Sequence, residues 1–153
     1  ANMENFLSYL SENHRQCDQH LAELEQAVTA NNWEEVKKQY QTFSLSTLTH
    51  FEREEQILFP PFEEASGISE GGPTSCMRSE HQQMRELLEQ MKEGCQQQDQ
   101  EHLYGLTETY MILVQQHNSK EEQVLYNMAE QLLGAQMASL IAEMKTHQAQ
   151  IND

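Results

Sequence analysis

Histidine and glutamate recur in this chain at a spacing that suits a metal site. The segment from His50 to Pro60 reads HFEREEQILFP, and 67 positions later the segment from His117 to Asn127 reads HNSKEEQVLYN. The same offset pairs His14 with His81, so each half has one histidine and, 36 positions on, a His-x-x-x-Glu sequence. The candidate metal ligands are His14, His50, Glu54, His81, His117 and Glu121.

A buried set of this composition predicts a pair of divalent metal ions. In a protein core, imidazoles and carboxylates without partners would cost several kcal/mol for each ion. Two divalent cations remove this cost if Glu54 and Glu121 bridge them and each cation takes two histidines. Each cation then has about four protein donors, fewer than the roughly five or six that iron or manganese usually takes. Positions remain for a bridging oxygen and an external ligand, and the donor types favour iron first, then manganese or zinc.

Composition and charge limit the class of protein and its partners. With 153 residues the chain has the length of one domain, and we expect residues 1–153 to form a single domain. Gly (6) and Pro (3) are scarce, whereas Glu, Gln, Leu and Met are abundant, which favours helix. The net charge of −16 would repel nucleic acid and anionic lipid. We therefore expect an all-α protein without a nucleic-acid or membrane partner.

Cysteine usage and hydropathy indicate a cytoplasmic protein. Cys17, Cys76 and Cys95 are odd in number and have no CxxC spacing, so a secreted disulfide framework is not expected. No apolar run approaches transmembrane length, and the N-terminus lacks the basic-then-apolar pattern of a signal peptide. A reducing cytoplasm fits these features best.

Apolar periodicity predicts four long helices and a shorter fifth. The first helix should end at Asn31-Asn32, and the second should kink or end around Pro60-Pro61, because proline lacks the backbone donor. A glycine-rich loop over residues 66–73 precedes the third helix, and the fourth closes near Gly134.

The predicted fold is an up-down-up-down four-helix bundle with an additional C-terminal helix. The bundle spans about residues 3–133 and the amphipathic fifth helix about residues 135–151, ending with Ile151 on its apolar face. This last helix either packs back on the bundle or mediates dimerisation. Membrane association is the weakest interpretation, because Lys145 is the one basic residue on its polar face.

The four histidines should meet at one level of this bundle. Short connections make successive helices antiparallel neighbours. His14 lies 17 residues before Asn31 and His50 lies 19 residues after it, and the second half repeats these distances about Gln98. At about 1.5 Å per residue the two arms match to roughly one turn. Since the second and fourth helices run in the same direction, the two glutamates can converge on the same pair of metals.

The order of these residues resembles that of the hemerythrin-like, or HHE cation-binding, domains. The likeness covers roughly residues 3–133 and rests on the single histidines of helices one and three and on the two His-x-x-x-Glu sequences of helices two and four. It implies a bundle that holds a non-haem di-iron centre, with dioxygen, nitric oxide or peroxide chemistry at its open positions. The oxygen carriers of the family have a second histidine in helix three where this chain has Met77. The set of four histidines and two glutamates is more similar to bacterial di-iron proteins linked to nitrosative stress and iron–sulfur cluster repair.

Other polar residues have less direct connections with the centre. His20 falls off the apolar face of its helix, and His102 and His147 should lie far along the bundle axis from the ligands. Asp18, Glu55 and Glu122 could contact the ligand imidazoles. The alternative for all three is an outward-facing, solvated acid.

Two sets of residues should flank the ligand layer. On the side away from the glutamates these are Cys17, Thr47, Met84 and Tyr110. On the glutamate side they are Leu10, Ile57, Met77 and Val124. Because the glutamate side is nearly all apolar, a small neutral ligand such as dioxygen or nitric oxide could enter there.

The centre is compatible with three functions. The leading hypothesis is a small di-iron protein that binds dioxygen or nitric oxide as sensor, store or scavenger, with a possible homodimer or separate signalling partner. The second is an oxidoreductase or iron–sulfur cluster repair protein that uses the same centre, and the third is metal storage or a structural metal. Since the chain has no nucleotide-binding loop or catalytic triad, metal and gas binding is favoured over substrate turnover.

Overall fold

Helix-favouring residues form seven α-helices and two π-helical turns in residues 4–150, the part of the chain that this computed structural model describes. There is no strand in that range, as the composition predicts. The elements are α1 Phe6–Thr29, α2 Trp33–Glu52, π1 Arg53–Leu58, α3 Phe59–Ser66, α4 Pro73–Gln97, α5 Gln100–Lys120, π2 Glu121–Leu125, α6 Tyr126–Leu133 and α7 Met137–Thr146.

Four long helical units make the bundle. They are α1, α2 with π1 and α3, α4, and α5 with π2 and α6. The units α1 and α2 pack together, as do α4 and α5, and contacts of α1 with α5 and of α2 with α4 close the ring. The predicted four-helix bundle with an additional C-terminal helix is confirmed.

Matching turns fix the relative height of the helices. Asn31 and Gln98 have left-handed φ angles of 56° and 53°. Asn31 lies in the turn between α1 and α2, and Gln98 lies in the turn between α4 and α5. Each is followed by a side-chain cap: Asn32 accepts a hydrogen bond from the backbone N–H of Glu35, and Asp99 accepts one from that of His102, both at 3.2 Å. The two turns thus hold both halves of the chain in the same register.

The core has two apolar parts, one at each end of the ligand layer. The part beside the glutamates includes Phe6, Leu10, Leu58, Phe59 and Met77. The other part includes Leu24, Phe43, Met84, Leu88 and Tyr110. The buried histidines and glutamates lie between them.

The two π-helical turns change which residues face the core. Each turn has one residue more than an α-helical turn, so the residues after it are rotated back by about one position. Val124, expected beside the ligands, is therefore 53 % exposed, and Leu125 and Tyr126 are buried in its place. The prediction for Val124 is wrong for this reason.

The second bundle helix continues past the two prolines. Pro60 and Pro61 lie in the first turn of α3, where the preceding π turn replaces the ordinary α-helical bonding and a missing donor is tolerated. The helix ends at Ser66, and Gly67 closes it with a φ of 74°.

The C-terminal helix is shorter than predicted and packs on the bundle. It covers Met137–Thr146, and His147 is already extended, with φ −88° and ψ 134°. Ile141 and Met144 are 3 % and 0 % exposed and join the core beside the glutamates. The predicted ends at residues 3 and 151 lie outside the described residues. No helix between residues 4 and 150 is long and apolar enough to cross a membrane.

Candidate metal centre

Six side chains converge at the middle of the bundle. α1 supplies one histidine, α2 and π1 supply a histidine and a glutamate, α4 supplies one histidine, and α5 and π2 supply the last pair. Each of the six residues is at most 3 % exposed. They are His14, His50, Glu54, His81, His117 and Glu121.

Each glutamate contacts an imidazole from both halves of the chain. Glu54 Oε1 lies 3.3 Å from His50 Nε2 and 3.1 Å from His81 Nε2. Glu121 Oε1 lies 3.1 Å from the Nε2 atoms of both His14 and His117. Both glutamates lie in a π turn, a feature that is frequent at functional sites. The arrangement suits carboxylates that bridge two cations.

The donor atoms form two overlapping groups. Glu54, His81, His117 and Glu121 present atoms that all lie within 4.8 Å of one another. His14 and His50 form a second such group with Glu121. A shared carboxylate and separate histidine pairs are what two neighbouring metal ions require.

Several buried ligand atoms have no hydrogen-bond partner in residues 4–150. They are Glu54 Oε1, His81 Nε2, His117 Nε2 and Glu121 Oε2. Some lie close to one another, but they do not meet in hydrogen-bonding geometry. Since native cores rarely leave buried polar atoms unpaired, the donor set fits metal ions at this position.

The outer nitrogen of each imidazole is held by another side chain. Three Nδ1 atoms lie 2.7 Å from a carboxylate oxygen: that of His14 from Glu122, that of His81 from Glu55, and that of His117 from Glu80. The Nδ1 of His50 lies 3.3 Å from the amide oxygen of Asn13. These contacts keep the proton on Nδ1 and direct Nε2 into the cluster.

Charge pairing in the metal-free protein shifts the pKa values of these groups. Burial alone would lower the pKa of His14, but hydrogen bonds to Glu121 and Glu122 outweigh it and raise the pKa to about 10. His81 is raised to a pKa of about 9 against the same burial effect, by Glu54 and Glu55. Burial would raise the pKa of Glu121, yet the nearby His117 and the other hydrogen bonds hold it well below its usual range. Without metal, protons on His14 and His81 balance the carboxylates.

The outer carboxylates are kept ionised as well. Burial would raise the pKa of Glu55, but His81 and Arg85 lower it to about 2. Arg85 donates to both oxygens of Glu55, at 2.8 and 2.7 Å. Lys120 pairs with Glu80. The acids that hold the ligands are thus themselves fixed in place.

Tyr126 places a hydroxyl on the glutamate side of the cluster. Its hydroxyl donates to Glu54 Oε2 at 2.7 Å and lies 3.1 Å from both His14 Nε2 and Glu121 Oε1. The ring is fully buried. Burial is the main effect that raises the pKa of the phenol well above its usual range, and the nearby carboxylates of Glu121 and Glu54 raise it further. The expected apolar environment is therefore interrupted by a neutral hydrogen-bond donor.

The remaining predicted residues have mixed outcomes. Glu55 and Glu122 contact ligand imidazoles, whereas Asp18 lines a surface groove between α1 and α5. His20 and His102 lie outside the cluster, as expected. His147 was expected far from the ligand layer, but it lies 2.7 Å from Glu52, because the chain after α7 turns back along α2.

Four neighbours of the candidate ligands were not predicted from the sequence: Asn13, Arg53, Glu80 and Tyr126. Tyr126 aligns with Phe59 in the repeat, and a polar hydroxyl at the position of a core residue was the available signal. In the same repeat, Asn13 aligns with Glu80 and Arg53 aligns with Lys120. The residues before His14 and His81 therefore have the same role in both halves.

Comparisons with known proteins agree with this geometry. The family model described as the hemerythrin HHE cation binding domain matches residues 5–129. The iron-sulfur cluster repair proteins YtfE of Escherichia coli O1:K1 / APEC and of Shigella boydii serotype 18 are each 48% identical to the chain over 44 residues. That match covers 29% of this chain but only 20% of the relatives' length. No solved structure matches the chain at a significant level. Because the family model covers most of its length, this chain belongs to the hemerythrin HHE cation-binding domain family.

Proposed function

We propose that this domain holds two non-haem iron ions in the His/Glu cluster and binds dioxygen or nitric oxide as sensor, store or scavenger. The observation that carries the proposal is the set of six buried donors with unpartnered atoms, supported from outside by three carboxylates and one amide. Bound iron would supply open coordination positions for a small ligand.

The residues have separate tasks in this proposal. His14 and His50 would hold one ion, His81 and His117 would hold the other, and Glu54 and Glu121 would be shared between the two. The outer carboxylates maintain the imidazole tautomers and increase the basicity of the ligands.

The glutamate side is where an external ligand would bind. Leu10, Leu58 and Phe59 are fully buried there and exclude bulk water. The Tyr126 hydroxyl is directed at the cluster and can donate a hydrogen bond to a bound diatomic molecule. Apolar surroundings with a single donor favour a small, weakly polar ligand over a charged substrate.

The rival function is iron–sulfur cluster repair or another redox reaction at the same centre. The partial match to proteins named for cluster repair favours it. Metal storage, or a structural ion such as zinc or manganese, is the third candidate, since the donor set accepts those ions too.

An anaerobic titration of metal-free protein with ferrous iron tests the proposal. We expect saturation at two irons and new visible absorption bands on exposure to oxygen that disappear when oxygen is removed. Irreversible oxidation would favour the redox or repair function, and fewer than two bound irons would contradict the di-iron assignment.

Substitution of the ligands checks the same site. His50→Ala and His117→Ala should each abolish binding of two irons, because each removes one donor of a different ion. His102→Ala is the matched control, since this histidine is exposed and outside the cluster. Unchanged iron content in both ligand variants would overturn the assignment.

A further inference from the structure

The C-terminal end of the chain is anchored next to His50. After α7, the backbone N–H of Ala149 donates to Thr49 Oγ1 at 3.1 Å, and Ala149 is only 6 % exposed. His147 Nε2 lies 2.7 Å from Glu52 Oε1. Residues 144–149, here called the C-terminal anchor, thus lie alongside α2, the helix that carries His50.

Arg53 connects this anchor to the interior of the bundle. Its Nε donates to the carbonyl of Met144 at 2.8 Å, and its Nη2 donates to that of His147 at 3.4 Å. Its Nη1 donates to Asn13 Oδ1 at 2.9 Å. A guanidinium can make these three contacts together because its donors are arranged in a rigid fork.

Asn13 links Arg53 to His50 through its amide oxygen. Its amide nitrogen donates to the carbonyl of Tyr9 at 3.1 Å, which turns the amide oxygen toward Arg53 and His50. That oxygen lies 3.3 Å from His50 Nδ1. Asn13 is 6 % exposed, so water has little access to this contact.

The second half of the chain has the corresponding series of contacts, from Lys120 through Glu80 to His117, without the C-terminal anchor. Lys120 aligns with Arg53 and pairs with Glu80, which contacts His117 Nδ1. There the acceptor is a carboxylate at 2.7 Å and the cation is half exposed. His50 is therefore the one ligand imidazole of the four whose outer partner is neutral and more distant.

We propose that Arg53 is a positioning residue through which the C-terminal anchor orients the metal ligand His50. A neutral amide stabilises a metal-bound imidazole less than a carboxylate does, so His50 depends on how firmly Asn13 is held. The ion shared by His14 and His50 is consequently the one that leaves first when the anchor is loosened. This inference rests on the proposed metal site.

The test follows iron release from the two-iron protein to a ferrous chelator under anaerobic conditions. In Arg53→Met, one iron should leave about tenfold faster than in the unaltered protein, and the other at the original rate. Arg53→Lys should behave in the same way, because an ammonium cannot make all three contacts; it also serves if Arg53→Met does not fold. Lys38→Met is the control and should change release less than twofold, since this lysine is exposed on α2, far along the helix from His50.

Hydrogen exchange of the metal-free variants provides a second readout. Residues 137–150 should exchange faster in Arg53→Met and remain unchanged in Lys38→Met. An Asn13→Ala variant should release the same iron quickly, and Arg53→Met should add little to it because both act through one contact.

The contrary outcomes are distinct. Faster exchange of the anchor with unchanged iron release would mean that Arg53 serves the anchor alone, and it would overturn the inference. Equal acceleration in Arg53→Met and Lys38→Met would assign the effect to lost charge and would also overturn it. An unaltered protein that binds fewer than two irons would overturn the proposed function, and this inference with it.

Discussion

At the scale of single residues, the hydroxyl of Tyr126 distinguishes the two ends of the ligand layer. Tyr110 lies at the other end, fully buried as well, and makes no hydrogen bond to the six candidate ligands in residues 4–150. The two tyrosines therefore permit a direct comparison. One hydroxyl faces the candidate binding position, and the other is part of the packed core.

Tyr126→Phe should weaken the retention of nitric oxide without preventing iron binding. The variant keeps the ring that fills the core but removes a hydrogen bond of about 1.5 kcal/mol, which corresponds to roughly a tenfold faster dissociation. Stopped-flow measurement of nitric oxide release from the ferrous protein checks this. Tyr110→Phe is the control, and equal rates in both variants would contradict the assigned role.

The convergence of the six candidate ligands could be predicted because they occur twice in the chain at equal spacing. That they bind metal stays a prediction. Their outer partners were harder to predict, because a surface acid and an acid that holds an imidazole have the same sequence pattern. Glu55 and Glu122 illustrate this. The sequence is compatible with a solvated acid at both positions, and the fold brings each carboxylate within 2.7 Å of an imidazole nitrogen. Arg53 contacts residues 40 and 91 positions away in the chain, and local spacing carries no information on such pairs.

At the scale of the helical elements, the π turns have the largest structural effect. Helix existence and hairpin turns follow from apolar periodicity and from the caps at Asn32 and Asp99. The apolar periodicity shows the extra residue of π1 and π2 only after the turn, where a different face of the helix is buried. Val124 and Leu125 are both apolar, so the sequence alone did not show which one is buried.

Alanine substitutions at these two neighbours test the change of face. Leu125→Ala should reduce the free energy of unfolding by about 2–5 kcal/mol, because it leaves a cavity in the core. Val124→Ala should change it by less than about 0.5 kcal/mol, since the side chain is largely in solvent. Urea unfolding of metal-free protein measures both, and the opposite order would mean that the turn is an ordinary α-helical one.

At the scale of the whole molecule, bound metal would replace protons as the counter-charge of the core. The pKa values of His14 and His81, about 10 and 9, lie above the ordinary value of 6.5. A raised folded-state pKa stabilises the fold fully below about 6.5, and this contribution is lost as pH rises through 9 and 10. Metal ions on the same nitrogens would make the contribution unnecessary.

The metal-free protein should therefore lose stability between pH 7 and pH 10 more steeply than the two-iron protein. Urea midpoints of both forms across this range provide the measurement. Thiols and phenols that titrate in the same range affect both forms, so the difference between the curves isolates the imidazoles. Parallel curves would show that the buried imidazoles are neutral in the metal-free protein.

The equal division of ligands between the two hairpins has a consequence for the history of this chain. One hairpin carries His14, His50 and Glu54, and the other carries His81, His117 and Glu121. A single hairpin holds half a centre, whereas two identical copies about a two-fold axis would complete it. Gene duplication and fusion of such a hairpin would produce the present chain. In such an ancestor the metal ions would have joined two separate subunits, and the differences between Asn13 and Glu80, or Phe59 and Tyr126, would have arisen after the fusion.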